Sequence, residues 1–196
     1  MHAFCALDKL ILNINSEKSL GFIMFRTIFI FSFLVAAMTF VWPFPSHAAQ
    51  PKEIGKFGDW TSYVLSEGGS KVCYMVSKPV KAEGKYTNRG EIFALITHRP
   101  SENTRDVFSY ITGYTYSKDS DASVMIDGKK YILFTQEDTA WAPDASADSK
   151  LARAIQTGSN MVVKGTSKRG TLTTDTYSLK GSGAAYKAIT KSCNIR

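Results

Sequence analysis

The chain has 196 residues, of which 44% are hydrophobic, and a net charge of +7 from 24 Lys and Arg against 17 Asp and Glu. Its length suits a single domain with one well-buried core. The basic residues are scattered, with no run of five, so the sequence has none of the basic tracts typical of nucleic-acid-binding proteins.

The stretch from residue 24 to residue 49 has the three parts of a secretory signal peptide. Arg26 supplies a basic start, residues 27–42 form an apolar run, and small residues occupy much of 46–49. The run of 16 residues is shorter than the roughly 20 that a membrane-spanning helix needs. We therefore expect a periplasmic protein with no stable membrane span after cleavage, and secretion or association with the outer membrane are the alternatives. An uncleaved anchor, lengthened by residues 21–24, is the alternative.

The expected boundaries follow from this leader. Cleavage after Ala48 or Ala49 fits the small-residue pattern, and Met24 is the expected true start because the charged region of a signal peptide is brief. The sequence thus predicts a signal peptide region over 1–49 and one domain over 50–196. That domain has a net charge of +6, which suits either attraction to anionic lipid head groups and acidic glycans or plain solubility.

Two cysteines, Cys73 and Cys193, remain in the predicted domain. In an oxidising compartment an even pair most simply forms one disulfide, here across 119 intervening residues. On the chain-entropy account, closing such a loop destabilises the unfolded state by roughly 4–5 kcal/mol. Two free thiols or a redox pair are the alternative, although the sequence contains no Cys-x-x-Cys.

From residue 57 onward, aromatic and β-branched runs alternate with turn residues, a pattern that predicts β-strands. Residues 50–56 are expected to be a polar lead-in and residues 81–88 a polar loop. Asp127 and Gly128, between two short apolar runs, predict a tight hairpin. The predicted strands span residues 57–65, 71–77, 91–98, 106–116, 124–126, 131–134, 161–164 and 171–179.

Two segments, 148–157 and 184–193, have helical periodicity. In the second segment apolar residues recur every four positions up to Cys193, which points this cysteine at the core. A bond to Cys73 would then join the last helix to an inner strand. Seven to nine strands with one or two short helices predict a mainly β fold of the β-sandwich type.

His98 is the one histidine beyond the cleavage region. A Ser-His-Asp triad would need a nucleophile, and no Gly-x-Ser-x-Gly motif supplies one. We therefore expect a structural histidine at a strand end and assign no catalytic residue. The alternative is a hydrolase that acts on envelope material, with His98 as its base and Glu102 or Asp106 beside it.

Neither a metal site nor a cofactor is expected. One histidine and two cysteines that are expected to be oxidised do not make a zinc set. Asp119, Asp121 and Asp127 cluster loosely, but their spacing misses that of a calcium loop. A solvated acidic turn is the simpler interpretation.

The aromatic residues are more suggestive of binding, because β-sandwiches often bind through aromatic side chains and loops. Trp141, which is expected in a loop, is the candidate ligand-binding residue. Trp60 lies in a predicted strand and is expected in the core instead.

An ordered set of five features carries a family resemblance. They are Phe-Gly-Asp-Trp at 57–60, Cys73, the segment 164–170 (Lys-Gly-Thr-Ser-Lys-Arg-Gly), the segment 174–181 (Thr-Asp-Thr-Tyr-Ser-Leu-Lys-Gly) and a final helix that ends in Cys193. Together they resemble the invasion-associated locus B family, and the likeness spans nearly all of the predicted domain.

The resemblance implies a small exported protein of a Gram-negative bacterium with an immunoglobulin-like β-sandwich. Some family members are linked to invasion of host cells, and the family supplies no established catalytic residues. We therefore expect a non-enzymatic envelope or secreted binding protein that serves host-cell invasion or envelope integrity. Its expected partner is an envelope protein, a host protein or a glycan, and not nucleic acid.

Overall fold

The computed structural model describes residues 50–195. They form eleven β-strands, two α-helices and a short 3-10 helix at Pro100–Glu102. The strands are β1 (Lys52–Phe57), β2 (Trp60–Glu67), β3 (Ser70–Ser77), β4 (Lys81–Gly84), β5 (Phe93–Arg99), β6 (Thr104–Ile111), β7 (Ala122–Ile126), β8 (Lys129–Gln136), β9 (Thr139–Trp141), β10 (Asn160–Thr166) and β11 (Leu172–Ser178). The helices are α1 (Ala145–Thr157) and α2 (Ser182–Ser192).

All eleven strands belong to one sheet with the order β1-β2-β3-β5-β6-β9-β8-β7-β10-β11-β4. Every neighbouring pair is antiparallel. β8 joins the two halves of the sheet, since residues 129–133 pair with β7 and residues 134–136 pair with β9. β8 is therefore the strand through which the sheet continues from one half to the other.

The two halves of the sheet face each other across a common core. The Trp60 indole on β2 donates a hydrogen bond to the Ser178 carbonyl on β11 at 3.1 Å. The Tyr110 ring on β6 meets the Tyr177 ring on β11 edge-on, with centroids 6.3 Å apart. Trp60, Tyr110 and Tyr177 are all buried. The predictions of a mainly β, two-layered fold and of a core position for Trp60 are confirmed.

The helix α1 begins and ends at residues typical of helix termini. The Asp144 carboxylate caps α1 by accepting a hydrogen bond from the Ala147 amide at 2.8 Å, and Gly158 follows its last residue. Leu151 and Ile155, one turn apart, are buried on the inner face of α1. The two predicted helices are confirmed, although α1 begins three residues and α2 two residues earlier than predicted.

The two strands at the ends of the sheet order were not predicted. β1 lies in the expected polar lead-in and β4 in the expected polar loop, so both predictions are wrong. All four β4 residues are exposed, and the strand is held by backbone pairing with β11. Such edge strands carry little hydrophobic pattern because they bury little side-chain surface.

The predicted hairpin at Asp127 and Gly128 is confirmed. The two residues join β7 to β8, and both have positive φ angles of 45° and 85°. Such angles suit the turn type that matches the twist of paired strands.

Two of the segments that carry the family resemblance meet in the folded chain. Gly58 and Gly181 both have positive φ, and a Cβ at Gly181 would lie 2.1 Å from the Phe57 carbonyl oxygen. The Asp59 amide donates to the Lys180 carbonyl at 3.1 Å. Because no larger residue fits this approach without movement, glycine is needed where the β1–β2 turn contacts the start of α2.

A buried ion pair lies inside the sandwich. Arg89, from the loop between β4 and β5, donates to both carboxylate oxygens of Asp175 on β11, at 2.8 and 2.6 Å. It also donates to the Thr112 carbonyl at 2.7 Å, and the Tyr110 hydroxyl donates to the same carboxylate. Burial opposes the charged guanidinium, but hydrogen bonding to Asp175 and its charge raise the pKa of Arg89 overall.

The predicted leader, residues 1–49 with its alternative start at Met24, lies outside the described residues. The signal peptide and the domain boundary therefore stay predictions. Within residues 50–195, neither helix combines the length and the apolar character that crossing a membrane requires.

Candidate functional site

His98 lies on β5 beside Cys73 of β3, with its side chain fully buried. Its Nδ1 accepts a hydrogen bond from the Asp106 amide at 3.1 Å, so the neutral ring carries its proton on Nε2. Nε2 lies 3.3 Å from the Thr190 hydroxyl of α2 and donates to it. Burial lowers the pKa of His98, and the Asp106 charge only partly opposes this. His98 is thus a neutral residue of the protein interior.

Asp106 occupies an irregularity in β6 opposite His98 and has a φ of 63°. Its carboxylate accepts hydrogen bonds from the Tyr186 hydroxyl of α2 and, at 3.0 Å, from the Ser149 hydroxyl of α1. Burial, together with the hydrogen bond to Asp106, raises the pKa of Tyr186 to about 12. The carboxylate therefore joins both helices to the sheet.

These contacts do not assemble the proton relay of a hydrolase. A triad needs a carboxylate bonded to the imidazole and a nucleophile bonded to the other ring nitrogen. The Asp106 carboxylate lies 3.9 Å from His98 Nδ1, and the Ser149 hydroxyl donates to that carboxylate and not to the imidazole. Glu102 lies in the 3-10 helix, and its carboxylate pairs with the guanidinium of Arg99 at 3.7 Å. The geometry gives the hydrolase alternative no support.

The disulfide adjoins this cluster. Cys73 on β3 and Cys193, directly after α2, are bonded through their Sγ atoms at 2.09 Å. Ser62 on β2 adds a hydrogen bond from its buried hydroxyl to the Ala185 carbonyl at 3.0 Å. Together with the contacts of His98, these bonds hold α2 against β2, β3 and β5.

Trp141 was predicted in a loop, and that prediction is wrong because it is the last residue of β9. It pairs with Phe134 on β8, and the two rings lie 5.6 Å apart with a tilt of 31°. Phe134 and Ile132 of the same strand are 41% and 49% exposed. Trp141 thus borders an apolar strip along β8, and its role in ligand binding stays a prediction.

A groove of about 500 Å³ lies between α1 and β8. Lys129 and Tyr131 of β8 form one wall, and Lys150 and Arg153 of α1 form the other. The Lys129 ammonium lies 5.4 Å from the centre of the Tyr131 ring, within the range of a cation–π contact. Ser149 also lines the groove, which has three cations and no carboxylate among its lining residues.

The exposed faces of both helices carry the same sign of charge. Lys187 and Lys191 of α2 line a second groove, of about 840 Å³, beside the first helix. The single acidic residue within the two helices, Asp148, is buried and accepts a hydrogen bond from the Phe108 amide at 2.9 Å. The helical side of the molecule therefore attracts anions.

The three aspartates considered for calcium do not form a metal site with other residues of the described chain. No group of three or more His, Cys, Asp or Glu side chains in residues 50–195 is arranged to hold a metal ion. The Asp127 carboxylate accepts a hydrogen bond from the Ser159 amide at 3.1 Å instead. Its role is to join the β7–β8 turn to the segment after α1.

Sequence reasoning missed the groove between α1 and β8. The spacing of Lys150 and Arg153 is visible in the predicted helix, where residues three apart share a face. The position of Lys129 opposite them depends on how α1 packs, which no local pattern indicates.

The comparison with protein families matches residues 60–190 to the family described as invasion associated locus B (IalB) protein. Comparison with curated proteins and with solved structures gives no significant match. The matched segment runs from the start of β2 into α2 and includes His98, Trp141 and the groove between α1 and β8. Since the match covers well over half of the sequence, the chain belongs to the invasion-associated locus B family.

Proposed function

We propose that the protein is an exported, non-enzymatic binding protein of the cell envelope or the secreted fraction. The observation that carries this proposal is the environment of His98, whose ring is buried and engaged at both nitrogens. A general base must reach the proton that it abstracts, and this imidazole faces α2 instead. Family membership supports a role connected with invasion, and a role in envelope integrity is the alternative.

Export is supported by two independent features. The Cys73–Cys193 disulfide is the kind of bond that persists in oxidising compartments such as the periplasm. Residues 24–49 have the pattern of a cleavable leader. We propose the periplasm as the compartment of the mature protein, with secretion or association with the outer membrane as the alternatives.

Diethyl pyrocarbonate labelling tests the non-enzymatic part of the proposal. A chain that starts after residue 49 has His98 as its single histidine, so absorbance of the modified ring reports on this residue alone. We expect no reaction in the native protein and full reaction in urea. N-acetylhistidine in the same buffer is the control. Native His98 reacting as fast as this control would remove the basis of the proposal.

Fractionation of the producing cells tests export. The protein should appear in the periplasmic or secreted fraction with its amino terminus at residue 49 or 50, and its cysteines should resist alkylation unless a reductant is added. An intact leader in the cytosolic fraction, or cysteines that react without reductant, would contradict export.

A further inference from the structure

We propose that the groove between α1 and β8 binds an acidic oligosaccharide. This inference rests on the binding role proposed above and specifies the chemistry of the partner. The groove brings together Lys129 from the sheet with Lys150 and Arg153 from the helix, and no acidic residue lines it. Its volume of about 500 Å³ is within the range of pockets that hold small ligands.

The three cations have no carboxylate partner in the described part of the chain. The ion pairs there involve other residues, and the Lys129 ammonium is instead placed over the Tyr131 ring. Lys150 and Arg153 lie one turn apart on α1, where like charges repel each other and weaken a helix slightly. An anionic ligand between the two walls would relieve this repulsion.

The remaining chemistry of the groove suits a sugar. Ser146 and Thr157 are exposed hydroxyl residues on its helical wall, able to exchange hydrogen bonds with sugar hydroxyls. Tyr131 contributes an aromatic ring against which the apolar face of a pyranose can pack. The Arg153 guanidinium presents the planar donor pair that matches a carboxylate or a sulfate.

The lining of the groove favours an oligosaccharide over a membrane surface. Its cations come from two elements, β8 and α1, and share the lining with hydroxyl groups and an aromatic ring, so linked sugars in the groove can contact all of these groups. An anionic lipid surface is attracted by cations alone and needs neither the hydroxyl groups nor the ring. The occupant that this geometry fits is therefore a soluble or surface-attached acidic glycan.

Calorimetric titration of the disulfide-bonded protein tests the proposal with three defined probes. Tetragalacturonate and a heparin tetrasaccharide are the acidic probes, and maltotetraose is the neutral one. We expect at least one acidic probe to bind and maltotetraose not to bind. Lys150→Gln with Arg153→Gln should weaken acidic binding about tenfold, because two exposed, solvent-screened charge contacts are lost.

Lys168→Gln with Arg169→Gln is the matched control, since it removes two exposed cations from the β10–β11 turn, outside the groove. This control should bind the acidic probes as the parent protein does, and both variants should keep the parent's melting temperature. Equal loss in both double variants would overturn the proposal, because attraction would then come from net charge alone. Failure of both acidic probes to bind the parent would overturn it as well.

Vesicles containing phosphatidylglycerol separate a lipid surface from a glycan. Stronger binding to these vesicles than to either acidic probe, lost in the groove variant alone, would replace the glycan by a membrane and refute the proposal. The labelling of His98 and the fractionation of cells do not depend on this groove. If neither acidic probe binds while His98 is unreactive and the protein is exported, the acidic oligosaccharide is rejected as the ligand. The proposed function then remains intact.

Discussion

At the scale of single residues, Asp148 couples the stability of the fold to pH. Its side chain is buried against β6 and accepts a hydrogen bond from the Phe108 amide. Burial, which this hydrogen bond only partly offsets, raises the pKa of Asp148 from 3.8 to about 6. The folded state therefore holds the proton more tightly than the unfolded chain, and Asp148 destabilises the fold as the pH rises through this interval.

Asp148→Asn should remove this penalty, because the amide oxygen keeps the hydrogen bond from Phe108 and carries no charge. We expect the variant to exceed the parent in free energy of unfolding by about 3 kcal/mol near neutral pH, and the difference to shrink toward about pH 4. Urea unfolding over this range measures it. Burial also lowers the pKa of His98, so this residue destabilises the fold as the pH falls. The effect is the same in the parent and in the variant, so it cancels in the difference between them. A difference independent of pH would contradict the assignment.

Gly181 offers a second residue-scale prediction. Its φ of 89° disfavours any side chain, and a Cβ there would lie 2.1 Å from the Phe57 carbonyl oxygen. Gly181→Ala should therefore lower the free energy of unfolding by about 2–4 kcal/mol, from backbone strain and from overpacking. Gly170→Ala is the control: its φ is 78°, but nothing lies within 4 Å of the added carbon. Equal losses in denaturant unfolding would show that the close approach at Gly181 is unimportant.

At the scale of elements, the sequence predicts the strands and helices that bury apolar residues. It misses the strands that form mainly through backbone pairing with their neighbours. β5 has an apolar run, and α1 has buried residues at helical spacing, so both leave a pattern in the sequence. β1, β4 and β9 leave none, because backbone pairing with neighbouring strands of the sheet determines them. β9 is only three residues long and lies between β6 and β8 in the sheet, so its sequence predicts a loop at Trp141. The groove was missed for the same reason.

The disulfide gives the element-scale prediction. It fixes the end of α2 to β3, and its cysteines are 120 positions apart. Cys73→Ala with Cys193→Ala should lower the free energy of unfolding by about 2–5 kcal/mol, because the unfolded chain regains the freedom of a long loop. Hydrogen exchange should show α2 losing protection before the central strands do.

Reductant provides the control for this prediction. It should destabilise the parent protein to about the level of the double variant and should leave that variant unchanged. A variant as stable as the parent, or an α2 that keeps its full protection, would show that the hydrogen bonds of Ser62, Asp106 and Thr190 hold the helix by themselves.

At the scale of the whole molecule, the two halves of the sheet are joined by polar contacts as well as by apolar packing. Arg89 comes from a loop that the sequence indicates only as polar, yet its guanidinium lies in the interior beside Asp175. The hydroxyl of Tyr110 links the opposite layer to the same carboxylate. The sequence does not predict that either charge is buried, because charged residues are mostly exposed and no local pattern distinguishes a buried ion pair from two surface residues.

Double-mutant analysis of this pair tests whether it holds the layers together. The side chains of Arg89 and Asp175 are 3% and 1% exposed. Removing one partner leaves the other charge buried and unpaired, so Arg89→Gln and Asp175→Asn should each lower the free energy of unfolding by about 3–5 kcal/mol. The double variant should lose clearly less than the sum of the two, since neither charge then remains.

The exposed ion pair of Lys78 and Glu91 supplies the comparison. Its side chains are 64% and 59% exposed, so solvent screens the interaction, and Lys78→Gln should cost less than about 1 kcal/mol. Denaturant unfolding of the parent, the two single variants and the double variant at one pH gives the coupling energy of Arg89 and Asp175. Additive losses for Arg89 and Asp175 would mean that the two charges act separately. The two layers would then depend on the apolar contacts around Trp60, Tyr110 and Tyr177 for their association.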